Sequence, residues 1–411
     1  MRVTSIISEY NPFHEGHKYH MENTKKITNS DYTIVIMSGD FTQRGTPAII
    51  DKYARAKQAL LNGADLVLEF PVSFATSSAE GFAFGAVSIL DKLGIVNSLV
   101  FGSESGDIES IKNVADFLLN EPVEYKERLH FFLKQGFAFP KARASALKEF
   151  FPNLEDNFFA SSNNILGIEY CRALKYFNSS ITPMTIMRKD NLYNDEELAD
   201  EGKLSSATAI RKFLHNSTDF DALTSYMPES SLEIMKNNWN ICTPIFPNDF
   251  SLLLKYKLLL ENRETLVQYL DVTSDLADRI YNNLNIYKDF DSFCNLLKTK
   301  ELTYTRIARS LLHILLDIKK LDYEIYKKSK YGQYARILGF RKEAAPLLHE
   351  LKIHSSIPLI SKLSDSVKGL DGITLAMLEK DIQASHIYES VVADKFRQDF
   401  NNEFQRQLII V

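Results

Sequence analysis

The chain has 411 residues, of which 45% are hydrophobic and 25% are charged, and its formal net charge is −5 at pH 7. These values are typical of a soluble globular protein with two or three domains. The acidic balance argues against a globally basic nucleic-acid binder but allows a local basic patch. The cysteines Cys171, Cys242 and Cys294 are far apart and odd in number, which fits a reducing cytosol and no metal or redox motif. The opening apolar run is too short for a signal peptide, and no apolar run is long enough to span a bilayer.

Residues 3–17 combine a strand, a turn and a helix start. Residues 3–7 form a β-branched run that predicts a buried strand, and residues 11–12, Asn-Pro, predict a turn. His14 and His17 follow at the expected helix start, where a spacing of three places both imidazoles on one face. The free N–H groups and positive dipole of a helix start favour phosphate, and Gly16 leaves room for a phosphate or a base to approach closely. We therefore predict a phosphate-handling site; a solvated helix start that happens to carry histidines is the alternative.

Strands and helices alternate through the rest of the first half of the chain. Further buried strands are predicted at residues 32–37, 66–71, 98–101 and 182–187. Helices are predicted at residues 51–62 and 73–90, and residues 108–151 have a largely helical periodicity. This alternation indicates βαβ units with right-handed crossovers, and therefore an α/β fold with a doubly wound, Rossmann-like parallel sheet.

Residues that follow these strands are candidate ligands, because open α/β sheets bind ligands at the carboxyl ends of their strands. Arg44 lies in a glycine-rich loop and suits a phosphate or a carboxylate, or it is an ordinary exposed arginine. Gly102 would let a ligand lie on the backbone, with a plain turn as the alternative. Arg188 and Lys189 end the fifth strand, and two cations there suit a polyphosphate.

Two predicted helix starts carry polar residues. Asn163 and Asn164 predict an N-cap, and an asparagine amide can also bind an adenine or ribose edge. Ser206 and Thr208 lie at another helix start, where hydroxyl groups both cap the helix and bind phosphate, and Arg211 lies one turn beyond Thr208. A cap without a ligand is the alternative for the second stretch.

The second half of the chain has a different pattern. From about residue 212 onward, long Leu/Ile-rich helical periodicities dominate, and a late strand is an option near residues 358–360. We therefore predict a nucleotide-binding domain at residues 1–215 and a mostly α-helical domain at residues 216–411.

One segment of this second half is basic. Between residues 298 and 342 there are twelve Lys or Arg against four Asp or Glu, with aromatic residues interleaved. Because clustered cations bind phosphate backbones and aromatic rings stack on unpaired bases, the segment predicts an RNA surface. A solvated helix face with core tyrosines is the alternative. The cations that we assign to this surface are Lys298, Lys300, Arg306, Arg309, Lys327, Lys328, Lys330, Arg336 and Arg341.

Residues 3–17 resemble the HIGH-type nucleotidylyltransferase superfamily, whose signature is roughly Gly-x-Phe-Asp-Pro-x-His-x-Gly-His. Ser8 and Asn11 stand where that pattern has glycine and aspartate, and residues 9–17 are instead similar to the tRNA(Met) cytidine acetate ligase family. Residues 206–211 resemble the Ile-Ser-Ser-Thr-x-x-Arg motif that closes the superfamily's fold. Further blocks that look like the ligase family are residues 37–45, 163–167, 304–307 and 336–340.

The resemblance implies an enzyme that activates acetate with ATP as acetyl-adenylate and passes the acetyl group to N4 of the wobble cytidine of elongator tRNA(Met). It implies a cytoplasmic protein that binds the anticodon arm of that tRNA, with no membrane or DNA partner. Mg²⁺ is expected as the counter-ion of ATP, although no metal-ligand motif is visible. The catalytic residues that it implies are His14, His17 and Arg44. The ATP-binding residues that it implies are Ile7, Ser8, Glu9, Tyr10, Asn11, Pro12, Phe13, His14, Gly16, His17, His20, Gly102, Asn163, Asn164, Arg188, Lys189, Ser206, Thr208 and Arg211.

Two other functions stay open at this point. A nucleotidylyltransferase that makes a small dinucleotide cofactor is disfavoured by Ser8 and Asn11, and it would leave the basic helical half without a purpose. A non-enzymatic RNA-binding adaptor would show no ATP turnover.

Overall fold

The computed structural model describes residues 1–188, 198 and 204–411, so Lys189 of the predicted polyphosphate site lies outside the described residues. The strands of the described residues form a single sheet. They are β1 (Val3–Ser8), β2 (Tyr32–Ser38), β3 (Leu66–Phe70), β4 (Ser98–Ser103), β5 (Thr182–Met187), β6 (Ala335–Phe340), β7 (Leu359–Ile360) and β8 (Ile409–Ile410).

The helices of the described residues pack on both faces of the sheet and in a separate helical region. They are α1 (Glu15–Thr28), α2 (Lys52–Leu61), α3 (Val72–Ala75), α4 (Ala79–Lys92), α5 (Ile108–Asn120), α6 (Val123–Lys134), α7 (Phe139–Phe150), α8 (Ser162–Tyr176), α9 (Ala207–Asn216), α10 (Glu229–Asn238), α11 (Ser251–Leu259), α12 (Arg263–Leu266), α13 (Ser274–Asn283), α14 (Phe290–Leu297), α15 (Tyr304–Leu315), α16 (Lys320–Lys328), α17 (Ala345–His354), α18 (Leu363–Ser366) and α19 (Gly372–Phe396). Within these residues, no helix combines the length and the apolar character needed to cross a bilayer.

The sheet has the order β5-β4-β1-β2-β3-β6-β7, and β8 pairs with β6. Strands β1 to β5 are parallel. The chain builds β2 and β3 on one side of β1 and then returns to add β4 and β5 on the other side, so the strand order reverses at β1. The predicted doubly wound α/β fold is confirmed, and in such sheets the ligand crevice lies at the carboxyl ends of the strands beside the reversal.

The second half of the chain also contributes to this sheet. Strand β6 pairs antiparallel with β3, and β7 and β8 pair with β6. The second half is mostly helical, as predicted, but the sheet crosses the expected division at residue 215. Strand β6 was not predicted, because its residues look like part of the basic segment and its partner β3 lies far away in the sequence.

The helical half has its own hydrophobic core. Phe41, which follows β2, and Val72, which follows β3, belong to this core together with Tyr388 of α19. The carboxyl ends of the central strands are therefore packed against the helical half. This arrangement places the expected ligand crevice beside both halves of the chain.

Candidate active site

A cavity opens at the carboxyl ends of β1, β2, β4 and β5, where the sheet order reverses. Two loops border it, which we call the histidine loop (residues 9–17) and the arginine loop (residues 39–47). The lining residues are Ile6, Ile7, Ser8, Glu9, Tyr10, Asn11, His14, Gly16, His17, Tyr19, His20, Thr42, Gln43, Arg44, Phe82, Phe101, Gly102, Asn163, Leu166, Tyr170, Ile186, Met187, Arg188, Leu204, Ser205, Ser206, Ala207, Thr208 and Arg211.

The structure brings most of the predicted ATP-site residues together in this cavity. Pro12, Phe13 and Asn164 are the described residues of that prediction that do not line it. Phe13 is fully buried, and its ring centroid lies 5.6 Å from that of His17. Phe13 therefore supports the histidine loop from behind and is not exposed to a ligand.

His14 and His17 stack at the start of α1, with ring centroids 3.7 Å apart. Nδ1 of His14 accepts a hydrogen bond from the Gly16 N–H at 3.0 Å, and Nδ1 of His17 accepts one from the His14 N–H at 3.3 Å. A neutral imidazole that accepts through Nδ1 carries its proton on Nε2. Both rings therefore keep an Nε2–H donor for a ligand.

Gly16 also has a structural role that the sequence did not predict. A Cβ at this position would lie 2.8 Å from Cε1 of His14 and 3.0 Å from its Nδ1. Glycine is needed because the His14 ring folds back over the first turn to cap α1. The His14 ring therefore fills the position that a Cβ would take. Gly16 also lines the cavity, and the close approach of a phosphate or a base to it stays a prediction.

The histidines of the cavity are neutral at pH 7. Burial lowers the pKa of His14 to about 3, and the charges of Arg188 and Arg211 act in the same direction. Burial also lowers the pKa of His17 well below its usual value and that of His20 to about 4. The imidazoles thus supply hydrogen-bond donors, and the arginines supply the positive charge.

This neutral state predicts a pH dependence of stability. An unfolded chain binds a proton at His14 below about pH 6.5, whereas the folded chain does not, so the free energy of unfolding should fall as the pH falls from 6.5. His14→Gln should reduce this loss by about 2 kcal/mol between pH 6.5 and about 4.5, since one pKa unit corresponds to about 1.4 kcal/mol. Urea unfolding at each pH measures it. His130→Gln, on the exposed surface of α6, is the matched control. A slope for His14→Gln equal to that of wild type would contradict the neutral assignment.

Two arginines approach the histidines from other elements. Nη1 of Arg211 donates to the Asn11 carbonyl oxygen at 2.5 Å, and its Nη2 donates to the Thr208 hydroxyl at 3.2 Å. Ser206 is the N-cap of α9 and accepts a hydrogen bond from the third residue of that helix. Arg188, directly after β5, lines the same cavity. Residues 206–211 therefore both cap α9 and form a wall of the cavity.

Asn163 and Asn164 differ in position. Asn164 is buried, and its Oδ1 accepts from the N–H groups of Glu104 and Ser105, each at 3.1 Å, while its Nδ2 donates to the Phe158 carbonyl oxygen. Its amide holds the loop after β4 and is not available to a nucleotide, which corrects the prediction for this residue. Asn163 lines the cavity, and its Nδ2 donates to the Glu104 carboxylate at 2.7 Å.

The sequence did not predict the apolar wall of the cavity. Phe101, Leu166, Tyr170 and Ile186 line it, and the rings of Phe101 and Tyr170 are 5.5 Å apart. Apolar and aromatic surfaces suit a nucleobase. Phe101 and Ile186 lie near the ends of predicted strands, which was a usable signal, but apolar strand residues were assigned to the core.

The arginine loop connects the cavity with α15. Gln43 and Arg44 line the cavity. Gly45 has a φ of +77°, and a Cβ there would lie 2.3 Å from the backbone nitrogen of Arg309 and 2.5 Å from the carbonyl carbon of Ala308. Only glycine fits both the backbone conformation and the contact, so α15 lies directly beside this border of the cavity.

The predicted tRNA-binding cations do not form one surface. Lys298 and Lys300 precede α15, and Arg306 and Arg309 lie on it. The backbone of Arg309 lies against Gly45 of the arginine loop. Arg341 lies at the amino ends of the parallel strands, opposite the cavity, where its N–H donates to the carbonyl oxygen of the residue that precedes β3. Lys327, Lys328 and Lys330 lie at the end of α16 and just after it, and the Lys330 carbonyl oxygen accepts hydrogen bonds from Ser88 and Lys92 of α4.

Arg336 is a correction to the predicted RNA surface. Its side chain is buried in β6, and its guanidinium lies 2.6 Å from the Glu403 carboxylate and 2.8 Å from that of Glu69. Tyr331 and Tyr334 of the same segment are buried in the sheet core. The core interpretation that the sequence left open therefore holds for these residues.

The fold and the site define a nucleotidyltransferase, and the family model described as HIGH Nucleotidyl Transferase matches residues 1–403. The tRNA(Met) cytidine acetate ligase of Clostridium perfringens is 43% identical over 94% of this chain and 95% of its own length. That of Acetivibrio thermocellus is 40% identical over 100% of both chains. The chain belongs to the tRNA(Met) cytidine acetate ligase family, which confirms the resemblance seen in the sequence.

Two solved structures are similar over the whole chain. The ligand-free crystal structure of Thermotoga maritima TmcAL has a TM-score of 0.93 at 33% identity, with 100% of both chains covered. The structure of the same protein bound with α-thio ATP has a TM-score of 0.90 at 34% identity, with the same coverage.

Proposed function

We propose that the chain is an ATP-dependent ligase that joins acetate to N4 of the wobble cytidine of elongator tRNA(Met). The observation that carries this proposal is the pair of neutral Nε2–H donors on His14 and His17, which share their cavity with Arg188 and Arg211. The names of relatives that are 43% and 40% identical to this chain support the tRNA and the acid. The α-thio ATP complex of the Thermotoga maritima protein supports the nucleotide.

The first step forms acetyl-adenylate. A carboxylate oxygen of acetate attacks the α-phosphorus of ATP, and the bond from that phosphorus to the bridging oxygen of pyrophosphate breaks. His14 and His17 donate to the phosphates as negative charge develops on the leaving pyrophosphate, and preorganised donors are most effective at that stage. Arg188 supplies positive charge beside them. In this proposal Arg44, on the other border of the cavity, binds the carboxylate.

The second step transfers the acetyl group. The cytidine N4 attacks the acetyl carbon, the bond from that carbon to the AMP oxygen breaks, AMP leaves, and a proton from N4 is released to solvent. An amine inside a paired helix is unreachable, but an anticodon loop presents it unstacked. Arg309 of α15 lies next to Gly45 of the arginine loop, so we place the anticodon arm on this side of the cavity.

This proposal does not assign Mg²⁺ to a binding site made of protein side chains. Among the described residues, no group of three or more His, Cys, Asp or Glu side chains could hold a metal ion. The cavity offers neutral imidazoles and arginines, so Mg²⁺ would be held by the phosphate oxygens of ATP, whose charge it neutralises.

Incubation of the protein with ATP, labelled acetate and total tRNA, followed by nucleoside analysis, tests the function. We expect labelled N4-acetylcytidine with tRNA and acetate-dependent exchange of pyrophosphate into ATP without it. Transfer of the adenylyl group to a small phosphorylated acceptor would favour the cofactor-making alternative, and absence of any ATP turnover would favour the RNA-binding adaptor. We place the reaction in the cytoplasm, which the free thiols of the described chain support.

Arg306 tests the RNA surface more cleanly than Arg309 does. Arg309 lies 3.0 Å from the Asp271 carboxylate, so its removal also breaks a partly buried ion pair. Arg306→Ala should weaken tRNA binding, lower its salt slope by about one, slow acetyl transfer and spare acetyl-adenylate formation. Arg341→Ala, at the amino ends of the parallel strands, is the control. If affinity and salt slope stay unchanged in folded Arg306→Ala, the RNA surface lies elsewhere.

A further inference from the structure

Arg55 of α2 is fully buried behind the two loops that border the cavity. Its Nη1 donates to the carbonyl oxygens of Glu9 at 2.7 Å and Ser38 at 3.0 Å. Its Nη2 donates to the carbonyl oxygen of Gly39, and its Nε donates to that of Ile50 at 3.0 Å. One guanidinium is thus shared by four backbone carbonyl groups.

These carbonyl groups mark the places where the two loops leave the sheet. Glu9 directly follows β1, and Ser38 and Gly39 end β2 and begin the arginine loop. Strands β1 and β2 are neighbours in parallel register, with Ser8 opposite Met37. Arg55 therefore ties the base of the histidine loop to the base of the arginine loop.

Side chains of the histidine loop also form hydrogen bonds with backbone N–H groups in and just beyond the arginine loop. The Glu9 carboxylate accepts a hydrogen bond from the Gln43 N–H at 2.7 Å. The Asn11 Oδ1 accepts one from the Ile49 N–H, just beyond the arginine loop, at 2.8 Å. Glu9 was predicted to contact ATP, but this carboxylate oxygen is directed at the other loop.

We propose that Arg55 and Glu9 form a clasp that sets the distance between the histidines and Arg44 across the cavity, and that both are positioning residues for adenylation. The inference rests on the proposed function, in which the histidine loop holds the phosphates and the arginine loop holds the carboxylate. The attack requires the two reactants in near-contact geometry, and a displacement of about 1 Å can lower the rate by about 10²-fold.

The chemistry of the clasp requires a guanidinium. Its planar fork offers five N–H donors in fixed directions, which can reach carbonyl groups on two strands at once. A lysine ammonium keeps the charge but offers three donors from one point. Arg55→Lys should therefore loosen the two loops relative to each other without removing the buried positive charge.

The test separates ATP binding from the chemical step. In acetate-dependent ATP–pyrophosphate exchange, Arg55→Lys should lower kcat at least about ten-fold and change the Kd of ATP less than about three-fold, because the phosphate ligands on α1 and α9 remain. Arg279→Lys is the control, since this half-buried arginine of α13 also donates to a backbone carbonyl group, that of Leu297, and does not line the cavity. It should lose stability and keep the wild-type kcat below its Tm.

A second pair of variants keeps the inference testable if Arg55→Lys does not fold. Glu9→Ala removes the acceptor for the Gln43 N–H, whereas Glu9→Gln keeps an oxygen there. We expect kcat to fall in Glu9→Ala and to be restored in Glu9→Gln, with ATP affinity little changed in either. A wild-type kcat in folded Arg55→Lys or in Glu9→Ala, or a parallel loss of kcat and ATP affinity, would overturn the clasp. If the wild-type protein itself shows no exchange, the proposed function fails instead.

Discussion

His17→Ala should lower the rate of acetate-dependent ATP–pyrophosphate exchange by about 10²–10³-fold, which corresponds to about 2.7–4 kcal/mol of lost transition-state stabilisation. The Nδ1 of His17 is occupied by the His14 N–H, so its proton is on Nε2 and the ring donates from that atom. Alanine removes this donor and also removes the ring that stacks on His14. The effect should appear in kcat because the donor is most effective when charge develops on pyrophosphate.

Two variants control this prediction. His17→Gln keeps an amide donor on the same helix face and should recover part of the rate. His130→Ala replaces an exposed histidine of α6 and should be indistinguishable from wild type. Near-normal exchange by a folded His17→Ala would remove the histidines from the mechanism, and an unfolding midpoint far below wild type would show that the residue acts on the fold.

The sequence was sufficient for the parts of the site that local patterns encode. The strand before His14, the spacing of His14 and His17 and the helix start at Ser206 each depend on a few neighbouring residues, and the structure has them as predicted. Arg44 and Arg188 each follow a predicted parallel strand, so both were expected at the carboxyl ends of the strands, where such sheets bind ligands. No long-range information was needed for these inferences.

The errors arose where the partner of a residue is distant in the sequence. Arg336 belongs to an exposed-looking basic run, and only its neighbours Glu69 and Glu403 show that it is buried. The contact of Gly16 with the His14 ring was missed because it depends on the conformation of that ring, which no spacing rule contains. Arg55 carries no motif at all, because its ligands are backbone carbonyl groups.

The same distant pairing creates a buried charge cluster beside the arginine loop. Nζ of Lys52 lies 2.6 Å from the Glu69 carboxylate and 2.5 Å from the Glu403 carboxylate, and both carboxylates also bind Arg336. Lys52 is the first residue of α2, and its N–H donates to Asp40 of the arginine loop at 2.9 Å. The cluster joins residues near the C-terminus to the sheet and the border of the cavity.

Lys52→Met should lower the free energy of unfolding by about 3–5 kcal/mol, because removal of one partner leaves an uncompensated buried charge. Urea unfolding at pH 7 measures it. Lys52→Met combined with Glu403→Gln should be less destabilised than the sum of the single variants, since the two changes remove opposite charges together. Lys362→Met, which breaks an exposed pair with Asp365, should cost less than about 1 kcal/mol.

The charge cluster also predicts how the free energy of unfolding depends on pH. Burial alone would raise the pKa of Glu403, but Lys52 and Arg336 outweigh it and lower the pKa to about 2. The stability that this carboxylate contributes is therefore present above about pH 4.5 and is lost as the pH falls toward 2. In Lys52→Met the attraction is weaker, so less stability remains to be lost across that window and the slope should flatten. A slope equal to that of wild type, or a cost below about 1 kcal/mol at pH 7, would show that the cluster is not what holds the C-terminal residues to the sheet.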